Sequence, residues 1–467
     1  MMNQTIFALA TAPGQAGVAV VRISGPQCAA VIEGMVRRPL VPRTASLASL
    51  RDPESDSLLD QALCLFFSAP ASFTGEDVLE LHLHGGRAVV DGVLAALSGF
   101  KGVRPAEPGE FTRRAFDNDK LDLAEVEGLA DLIAAETEAQ REQALRQMDG
   151  ELSRLVEGWK DRLVRALAHL EADIDFPDEE LEEGISDQAR ETLTELSREM
   201  LDHLNDGHRG ERLRDGFNLA IVGPPNAGKS SLLNLLARRD VAIVSDVAGT
   251  TRDVIETHLN IAGYPVTLAD TAGLRDLAGR EGDGIELEGM KRARARADSS
   301  DLKVAVFDVS SWTPDAGSLN AFLDQETLEL VSDSAALIVL NKLDASSHAE
   351  KLKEAVEAFS ERREGDRIFV LSVSNGQGVD GFLERLEGWV TEKMGVSSGG
   401  AALTRERHRV ALREAQGSLS RALAAGDLPE LVAEDVRLAV RSLGRITGRV
   451  DVDDLLDVIF RDFCLGK

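Results

Sequence analysis

The chain has 467 residues, of which 43% are hydrophobic and 28% are charged, and 80 acidic against 52 basic residues give a net charge of −28 at pH 7. This composition excludes wholesale disorder, and the length predicts roughly two to four domains of about 100–200 residues each. The acidic balance argues against a protein that coats nucleic acid or an anionic membrane through its overall charge.

Cysteine usage and hydropathy indicate where such a chain resides. The three cysteines are widely spaced, so the sequence predicts neither a disulfide framework nor a zinc site. No stretch reaches the roughly 18–20 consecutive apolar residues that a membrane-spanning helix needs. The N-terminus has no Lys or Arg before Arg22 and lacks the basic region of a signal peptide. We therefore expect a cytoplasmic protein with no membrane segment.

The first 120 residues predict a mixed α/β domain. Short apolar or alternating runs, separated by Gly and Pro, predict strands at 6–12, 18–24, 62–67 and 78–83. From residue 121 the apolar residues recur at helical spacing, and helix formers dominate to about residue 150. A second helix is predicted over 152–174, before Pro177.

Between about 216 and 385 the pattern changes to strand, loop and helix in repetition, which is typical of a parallel α/β sheet. The predicted strands are 217–222, 266–269, 302–309, 335–340 and 368–371. Helices return at 404–424, 429–443 and 452–463. The fold class is thus α/β plus all-α, and the predicted domains are 1–120, a helical domain made of 121–213 packed beside 386–467, and an inserted α/β domain at 214–385.

A phosphate-binding loop opens the inserted domain. The run from Gly223 to Ser230 reads Gly-Pro-Pro-Asn-Ala-Gly-Lys-Ser, and it lies between a predicted strand and a predicted helix. Its glycines let backbone N–H groups surround phosphate oxygens, and the helix N-terminus adds a positive dipole. Lys229 is expected to reach the β- and γ-phosphates, and Ser230 to ligate Mg²⁺. The loop alone does not distinguish an ATPase, a kinase or a GTPase.

Two further motifs favour guanine. Asp270-Thr-Ala-Gly273 ends one predicted strand, where Asp270 can hold the Mg²⁺ hydration shell and Gly273 can meet the γ-phosphate. Asn341-Lys-Leu-Asp344 ends another, and the Asp344 carboxylate can accept two hydrogen bonds that guanine offers and adenine does not. The three motifs in this order resemble a Ras-like P-loop G domain. Residues 372–374, Ser-Val-Ser, stand where the last guanine-contacting loop belongs but depart from its usual Ser-Ala-Lys form.

The hydrolytic machinery departs from the common pattern. The position after Gly273 is Leu274, which cannot orient water as the usual Gln does. The loop 245–253 occupies the place of the first switch, and its Thr251 can complete the Mg²⁺ shell. The side-chain carbonyl of Asn226 could bind a monovalent cation beside the phosphates and neutralise charge that develops in the transition state.

Blocks of sequence along nearly the whole chain resemble the MnmE (TrmE) family of tRNA-modification GTPases. Cys464-Leu-Gly-Lys467 matches the Cys-x-Gly-Lys terminus of that family. The other matching blocks are 72–77, 108–111, 118–123, 175–180, 225–231, 249–253 and 270–275.

This resemblance implies an N-terminal domain that forms the homodimer and binds 5-formyltetrahydrofolate or a related tetrahydrofolate. It implies G domains that meet across K⁺ during potassium-stimulated, Mg²⁺-dependent GTP hydrolysis. An FAD-containing subunit of the MnmG type would join the dimer in a heterotetramer that adds an aminomethyl or carboxymethylaminomethyl group to C5 of the wobble uridine of certain tRNAs. A regulatory GTPase of ribosome assembly stays open as the alternative.

The resemblance also assigns residues by position. The K⁺ ligands would be Asn226, Ser245, Val247 and Thr250, and the catalytic residues Lys229, Thr251, Asp270 and Glu286, of which Glu286 would position the water. The folate site would comprise Arg22, Glu80, Lys120 and Lys467, and Cys464 could be a reactive thiol, although a cysteine with no visible base partner is more often inert. The residues expected to contact GTP are Asn226, Ala227, Gly228, Lys229, Ser230, Ser231, Ser245, Thr250, Thr251, Asp270, Thr271, Ala272, Gly273, Asn341, Lys342, Asp344, Ser372, Val373 and Ser374.

Overall fold

A computed structural model describes most of the chain in two compact units. Unit 1 comprises Met1–Ile133, Leu145–Asp202 and Arg407–Lys467, and unit 2 comprises Ala134–Ala144 and His203–Glu406. No described helix is long and apolar enough to cross a membrane. The described residues are 4–175, 185–239, 256–269, 300–316, 318–331, 335–360, 367–395, 402–425, 428–450, Ile459 and Gly466.

A six-stranded sheet forms the N-terminal part of unit 1. Its strands run in the order β3-β4-β5-β2-β1-β6, and all neighbours are antiparallel except β1 and β6. Residues alternate between the faces, so that Leu79, Leu81 and Leu83 enter the core while Glu80 and His82 face outward. The strands are β1 (Thr5–Leu9), β2 (Ala16–Ser24), β3 (Ser46–Arg51), β4 (Leu58–Phe67), β5 (Val78–Gly85) and β6 (Val103–Pro105).

The four predicted strands are confirmed in this sheet, whereas β3 and β6 were not predicted. Both are edge strands, and β6 has only three residues, so neither gives a strong alternating pattern. The helices of this part are α1 (Cys28–Val31), which continues as a π-helix over Ile32–Val36, α2 (Arg87–Ser98) and α3 (Glu110–Asp117).

The helical texture from residue 121 onward divides into separate helices. These are α4 (Leu123–Ala134), α5 (Glu138–Met148), α6 (Glu151–Asp175) and α7 (Ile185–Leu204). The expectation of helix continuing to residue 150 missed the break at 135–137. The chain reverses there, and Gly128 of α4 comes so close to α5 that a Cβ on it would lie 2.6 Å from the Met148 nitrogen.

Unit 2 contains the parallel sheet that the sequence predicts. Its order is β12-β11-β10-β7-β9-β8, and all neighbours are parallel except β8 and β9. The strands and helices are α8 (Arg209–Asp215), β7 (Phe217–Val222), α9 (Lys229–Arg239), β8 (Glu256–Ile261), β9 (Tyr264–Ala269), β10 (Leu302–Asp308), α10 (Leu319–Phe322), α11 (Gln325–Leu330), β11 (Ala336–Asn341), α12 (Ala349–Ser360), β12 (Ile368–Val370) and α13 (Val379–Met394).

The five predicted strands correspond to the five parallel ones. They read as continuous apolar runs because layers on both faces bury them, as in β11, whose six residues are all buried. The antiparallel strand β8 was not predicted, since its sequence mixes polar and apolar residues. The carboxyl ends of β7, β11 and β12 meet at one edge of the sheet, which is where α/β proteins bind ligands.

The chain returns to unit 1 through α14 (Glu406–Ala424) and α15 (Pro429–Thr447). Helix α15 packs along α6, and Arg437 donates a 2.7 Å hydrogen bond to Glu171. One helix from each flanking segment thus packs against the other, whereas a helical domain made of 121–213 and 386–467 stays a prediction. The helix predicted over 452–463 lies outside the described residues except for Ile459, and the domain boundaries at 120, 213 and 385 stay predictions.

Candidate nucleotide-binding site

Two glycines shape the loop between β7 and α9. Gly223 has φ of +146°, and a Cβ there would lie 2.2 Å from the carbonyl oxygen of Val306 on β10. Gly228 has φ of +102°, and its Cβ would lie 2.1 Å from Nδ2 of Asn341 on β11. The loop thus sits tightly against β10 and β11, and only glycine fits at both positions.

Lys229 and its neighbours carry the groups that the sequence predicts to bind phosphate. Nζ of Lys229 donates to the carbonyl oxygens of Gly223 and Pro224 at 2.9 and 2.8 Å, which places the ammonium group inside the loop. Ser230 follows in the first turn of α9 and is exposed. Asn226 is also exposed and has φ of +60°, a conformation that asparagine tolerates better than most residues.

Asn341 connects the phosphate loop to the loop after β12. Its Nδ2 donates to the Ala227 carbonyl at 2.9 Å, and its Oδ1 accepts from the Val373 N–H at 3.1 Å. The side chain is only 3% exposed, so both bonds are shielded from water. One buried amide therefore fixes the spacing between the loop that would hold phosphates and the loop that would hold a base.

Two serines hold the carboxylate of Asp344. Oδ1 accepts from the hydroxyl of Ser372 at 2.6 Å, and Oδ2 accepts from the hydroxyl of Ser374 at 2.8 Å. These two hydrogen bonds, Ser372 first, lower the pKa of Asp344 below its ordinary value. The group is thus an ionised hydrogen-bond acceptor at neutral pH.

Lys342 lies between Asn341 and Asp344 with φ of +67°. Its Nζ pairs with the Asp308 carboxylate at 2.6 Å. Partial burial alone would raise the pKa of Asp308, but hydrogen bonds from Lys342 and Ser310 outweigh it and lower that pKa. The ion pair fixes the lysine stem at the edge of the site.

These loops enclose a cavity of about 460 Å³, and this volume is typical of small-molecule sites. The lining includes seven of the predicted GTP-contacting positions: Gly228, Ser231, Asn341, Lys342, Asp344, Val373 and Ser374. It also includes four residues that the sequence analysis missed: Asn234, Leu235, Arg238 and Ala345. The first three follow Ser231 at intervals of three, four and seven, so the helical spacing of α9 was the signal that could have found them.

Part of the predicted site lies outside the described residues. Its members are Ser245, Val247, Thr250, Thr251, Asp270, Thr271, Ala272, Gly273, Glu286, Cys464 and Lys467. Their assignments stay predictions. The structure brings together the described remainder, from Asn226–Ser231 to Asn341–Asp344 and Ser372–Ser374, at one edge of the sheet.

A second predicted cluster lies on the outer face of the unit 1 sheet. Arg22 and Glu80 are cross-strand partners, and Nε and a terminal nitrogen of Arg22 both lie 2.9 Å from Oε1 of Glu80. The Arg22 guanidinium also lies 5.5 Å from the ring centre of Phe73 and 5.9 Å from that of Phe111. A terminal nitrogen of Arg22 donates to the Gly466 carbonyl at 3.5 Å, so Gly466 reaches this cluster.

Lys120, which is also predicted to belong to the folate site, does not contact the Arg22–Glu80 pair in the structure. Its side chain is exposed, and its Cε lies near Gly75. Within the described parts of the chain, neither an ion pair nor a hydrogen bond joins it to Arg22 or Glu80. The sequence analysis missed the two phenylalanines, although both occur inside the family blocks 72–77 and 108–111.

Two family models match the chain. The model described as "GTP-binding protein TrmE N-terminus" matches residues 5–120, and the model described as "MnmE helical domain" matches residues 123–464. Together they span nearly the whole sequence.

Curated relatives match over all or nearly all of their lengths. The "tRNA modification GTPase MnmE" of Parvibaculum lavamentivorans is 52% identical over 99% of this chain and all of the relative, and that of Paramagnetospirillum magneticum is 52% identical over all of both chains. The Danio rerio protein named "5-taurinomethyluridine-[tRNA] synthase subunit GTPB3, mitochondrial" is 47% identical over all of this chain and 93% of its own. Because these matches run along whole chains, they cover both units of the structure.

Proposed function

The chain belongs to the MnmE family of tRNA-modification GTPases, and from this we propose that it hydrolyses GTP to drive a modification at C5 of the wobble uridine in certain tRNAs. The added group is aminomethyl or carboxymethylaminomethyl, and its one-carbon unit comes from a tetrahydrofolate. The observation that carries the proposal is the cavity in which the phosphate loop and the Asp344 carboxylate meet, in a chain that matches such GTPases from end to end.

The chain's own residues account for nucleotide binding in a Ras-like G domain. Backbone N–H groups of the loop between Gly223 and Ser230, with the N-terminus of α9, surround the phosphates. Lys229, whose Nζ donates to the Gly223 and Pro224 carbonyls, would reach the β- and γ-phosphates. Asp344 accepts hydrogen bonds from the Watson–Crick edge of guanine, and its lowered pKa keeps it ionised for that purpose.

Metal ions fit the donors that this site offers. The exposed hydroxyl of Ser230, with Thr251, would ligate Mg²⁺, while Asp270 would hold its hydration shell. The exposed carbonyl of Asn226, with oxygens of Ser245, Val247 and Thr250, would ligate K⁺. When bound, the two cations neutralise charge that develops on the phosphate oxygens. Glu286 would position the attacking water, because the usual glutamine after the Asp-x-x-Gly motif is Leu274 in this chain.

The Arg22–Glu80 cluster is the proposed folate site. A pterin offers a pair of N–H donors to the Glu80 carboxylate. The carboxylates of a folate would pair with the cationic side chains of Arg22, Lys120 and Lys467. The Phe73 and Phe111 rings hold the Arg22 guanidinium beside that carboxylate. Measured affinity for 5-formyltetrahydrofolate should fall at least about tenfold in Glu80→Gln, because an amide cannot accept both hydrogen bonds of the pterin.

The matched control for that measurement is Asp56→Asn, which changes a carboxylate to an amide in the exposed Arg37–Asp56 pair of the same unit. Unchanged folate affinity in Glu80→Gln would remove Glu80 from the site. Equal losses in both variants would indicate a general effect on unit 1.

A homodimer joined by an FAD-containing subunit of the MnmG type is the proposed assembly. Phosphate contacts dominate the affinity of most nucleic-acid-binding proteins. The net charge of −28 is therefore unfavourable for a chain that must bind tRNA alone. We expect the partner to supply most of the tRNA-binding surface. A filter-binding assay in which this chain alone retained tRNA as tightly as the complex would refute this division.

The deciding experiment is mass spectrometry of wobble uridines in tRNA from cells that lack the protein. The C5 substituent should disappear, and it should return with the normal chain but not with Asp270→Ala. The control Asp91→Ala, which removes an exposed carboxylate of α2, should restore it fully. Unaltered uridines in the deletion strain, with co-sedimentation of the protein with ribosomes, would favour ribosome assembly instead.

A further inference from the structure

The carboxylate of Asp344 forms a closed group with two serine hydroxyls. Each carboxylate oxygen accepts one serine hydrogen bond, at 2.6 Å from Ser372 and 2.8 Å from Ser374, and the two hydroxyl oxygens lie 2.9 Å from each other. Because both oxygens are held, rotation of the carboxylate about its terminal bond would break two hydrogen bonds at once.

The two serines differ in their surroundings. Ser372 is completely buried, and its N–H also donates to the Gln377 carbonyl at 2.9 Å, so it belongs to the framework of the loop. Ser374 is exposed and lines the cavity, and among the described residues its hydroxyl lies within hydrogen-bond distance of Asp344 and Ser372. Removal of the Ser374 hydroxyl therefore changes the hold on Asp344 with little loss of packing.

The serine bonds leave acceptor capacity for a ligand. An ionised carboxylate has about four acceptor positions, two on each oxygen. With one position on each oxygen occupied by a serine, guanine binding needs one further position on each oxygen to face the cavity, which Asp344 lines. The N1–H and the 2-amino group of guanine are adjacent donors that need both oxygens of one carboxylate in the plane of the base.

We propose that Ser374 is a positioning residue for base recognition, which fixes the plane of the Asp344 carboxylate so that both of its oxygens meet guanine. The proposal rests on the proposed GTP binding and assigns a role to the position where the sequence departs from the usual Ser-Ala-Lys loop. A lysine there has no hydroxyl to close the group. The hydrogen bonds from the two serines also keep the pKa of Asp344 low, so the carboxylate remains an acceptor in mildly acidic solution.

The test compares GDP with IDP, which lacks the 2-amino group, in calorimetric titrations of the full-length chain. In the normal chain GDP should bind more tightly than IDP, since the second oxygen of Asp344 contributes only for GDP. In Ser374→Ala the affinity for GDP should fall by about fivefold to tenfold, and the affinity for IDP by less, so that the GDP preference shrinks. Ser374→Thr retains the hydroxyl and should retain the preference.

The control is Ser318→Ala. Ser318 caps α10 in the same unit and lies outside the cavity lining, so its loss should lower thermal stability without changing the GDP-to-IDP ratio. If Ser374 had a purely structural role, Ser374→Ala would likewise lower thermal stability and leave the GDP-to-IDP ratio unchanged. An unchanged ratio in Ser374→Ala, or equal loss in Ser374→Thr, would overturn the proposal.

A further variant separates this inference from the proposed function. Asp344→Asn exchanges one acceptor for a donor and should transfer preference from GDP to XDP, whose 2-oxo group replaces the amino group. If this transfer occurs and Ser374→Ala leaves the ratio unchanged, only the role of Ser374 is wrong. If the transfer does not occur, the base does not lie at Asp344, and both proposals fail.

Discussion

The side-chain amide of Asn341 donates a 2.9 Å hydrogen bond to the carbonyl oxygen of Ala227, which precedes it by 114 residues. The same side chain accepts from the Val373 N–H at 3.1 Å. Through these two hydrogen bonds, Asn341 connects three loops that follow three different strands. A nucleotide that binds its phosphates at one loop and its base at another depends on this spacing.

We expect Asn341→Ala to weaken GDP binding by about tenfold to a hundredfold, because it removes two buried hydrogen bonds of about 1 kcal/mol each. The matched control is Asn260→Ala in the β8–β9 turn, where the side chain accepts from the Gly263 N–H at 3.0 Å. Both variants lose asparagine hydrogen bonds in unit 2, but only the first connects the loops of the cavity. Calorimetric titration with GDP should separate them, and equal affinities would contradict the bridging role.

Gly223→Ala should lower GDP affinity by at least about tenfold, since its Cβ would lie 2.2 Å from the Val306 carbonyl and must displace either β10 or the loop. Its φ of +146° adds strain for any residue with a side chain. Gly381→Ala in α13 is the control, because a Cβ there meets no atom within 4 Å. That control should bind GDP normally and be no less stable. Normal GDP binding by Gly223→Ala would show that the loop tolerates displacement.

The nucleotide motifs were predictable because each places special residue types at the end of an apolar strand. Gly223 and Asp344 need no tertiary information to be recognised. The place of Arg238 in the cavity lining was harder to predict, since it depends on which face of α9 the sheet leaves open. The hold of Ser374 on Asp344 was harder still, because the two residues meet only when β11 and β12 pair. Sequence patterns report local periodicity, whereas contacts between strand ends follow from the order of the sheet.

The close contact between α4 and α5 is another feature that local sequence periodicity does not report, and it gives a third prediction. Gly128→Ala should destabilise unit 1 by about 1–3 kcal/mol, because its Cβ would lie 2.6 Å from the backbone nitrogen of Met148. Gly158→Ala in α6, where a Cβ meets nothing within 4 Å, should instead stabilise it by about 0.5–1 kcal/mol through helix propensity. Thermal unfolding followed by circular dichroism checks the opposite signs, and equal shifts would refute the close approach.

A buried carboxylate in unit 1 gives the fourth prediction. Glu127 is 1% exposed; it accepts from Arg407 at 2.6 and 2.7 Å, and His408 Nε2 lies 2.9 Å from it. Arg407 also donates to carbonyls near the end of α15, at 3.1 and 3.0 Å. The cluster thus connects α4, α14 and α15. We expect Glu127→Gln to cost about 3–5 kcal/mol, because the partly buried Arg407 guanidinium, 16% exposed, loses its counter-charge.

Glu127 also makes the stability of unit 1 depend on pH. Burial alone would raise the pKa of Glu127, but the charges and hydrogen bonds of His408 and Arg407 outweigh it and lower that pKa well below the ordinary range. In the unfolded chain a glutamate takes up a proton at about pH 4.3, whereas the folded Glu127 stays ionised there. Its contribution is therefore complete above about pH 4.3 and declines as the pH falls toward the folded pKa.

Urea unfolding at several pH values between 7 and about 3.5 tests both the cost of Glu127→Gln and the decline of the Glu127 contribution in acid. Trp159 lies in unit 1, whereas Trp312 and Trp389 lie in unit 2, so Trp159 fluorescence in a Trp312→Phe, Trp389→Phe background reports on unit 1. Glu127→Gln should lower the urea midpoint at pH 7 and flatten its decline in acid. The control Glu171→Gln breaks the half-exposed pair with Arg437 and should cost less than about 1 kcal/mol. If Glu127→Gln had the same acid limb as the normal chain, groups other than Glu127 would account for the acid sensitivity of unit 1.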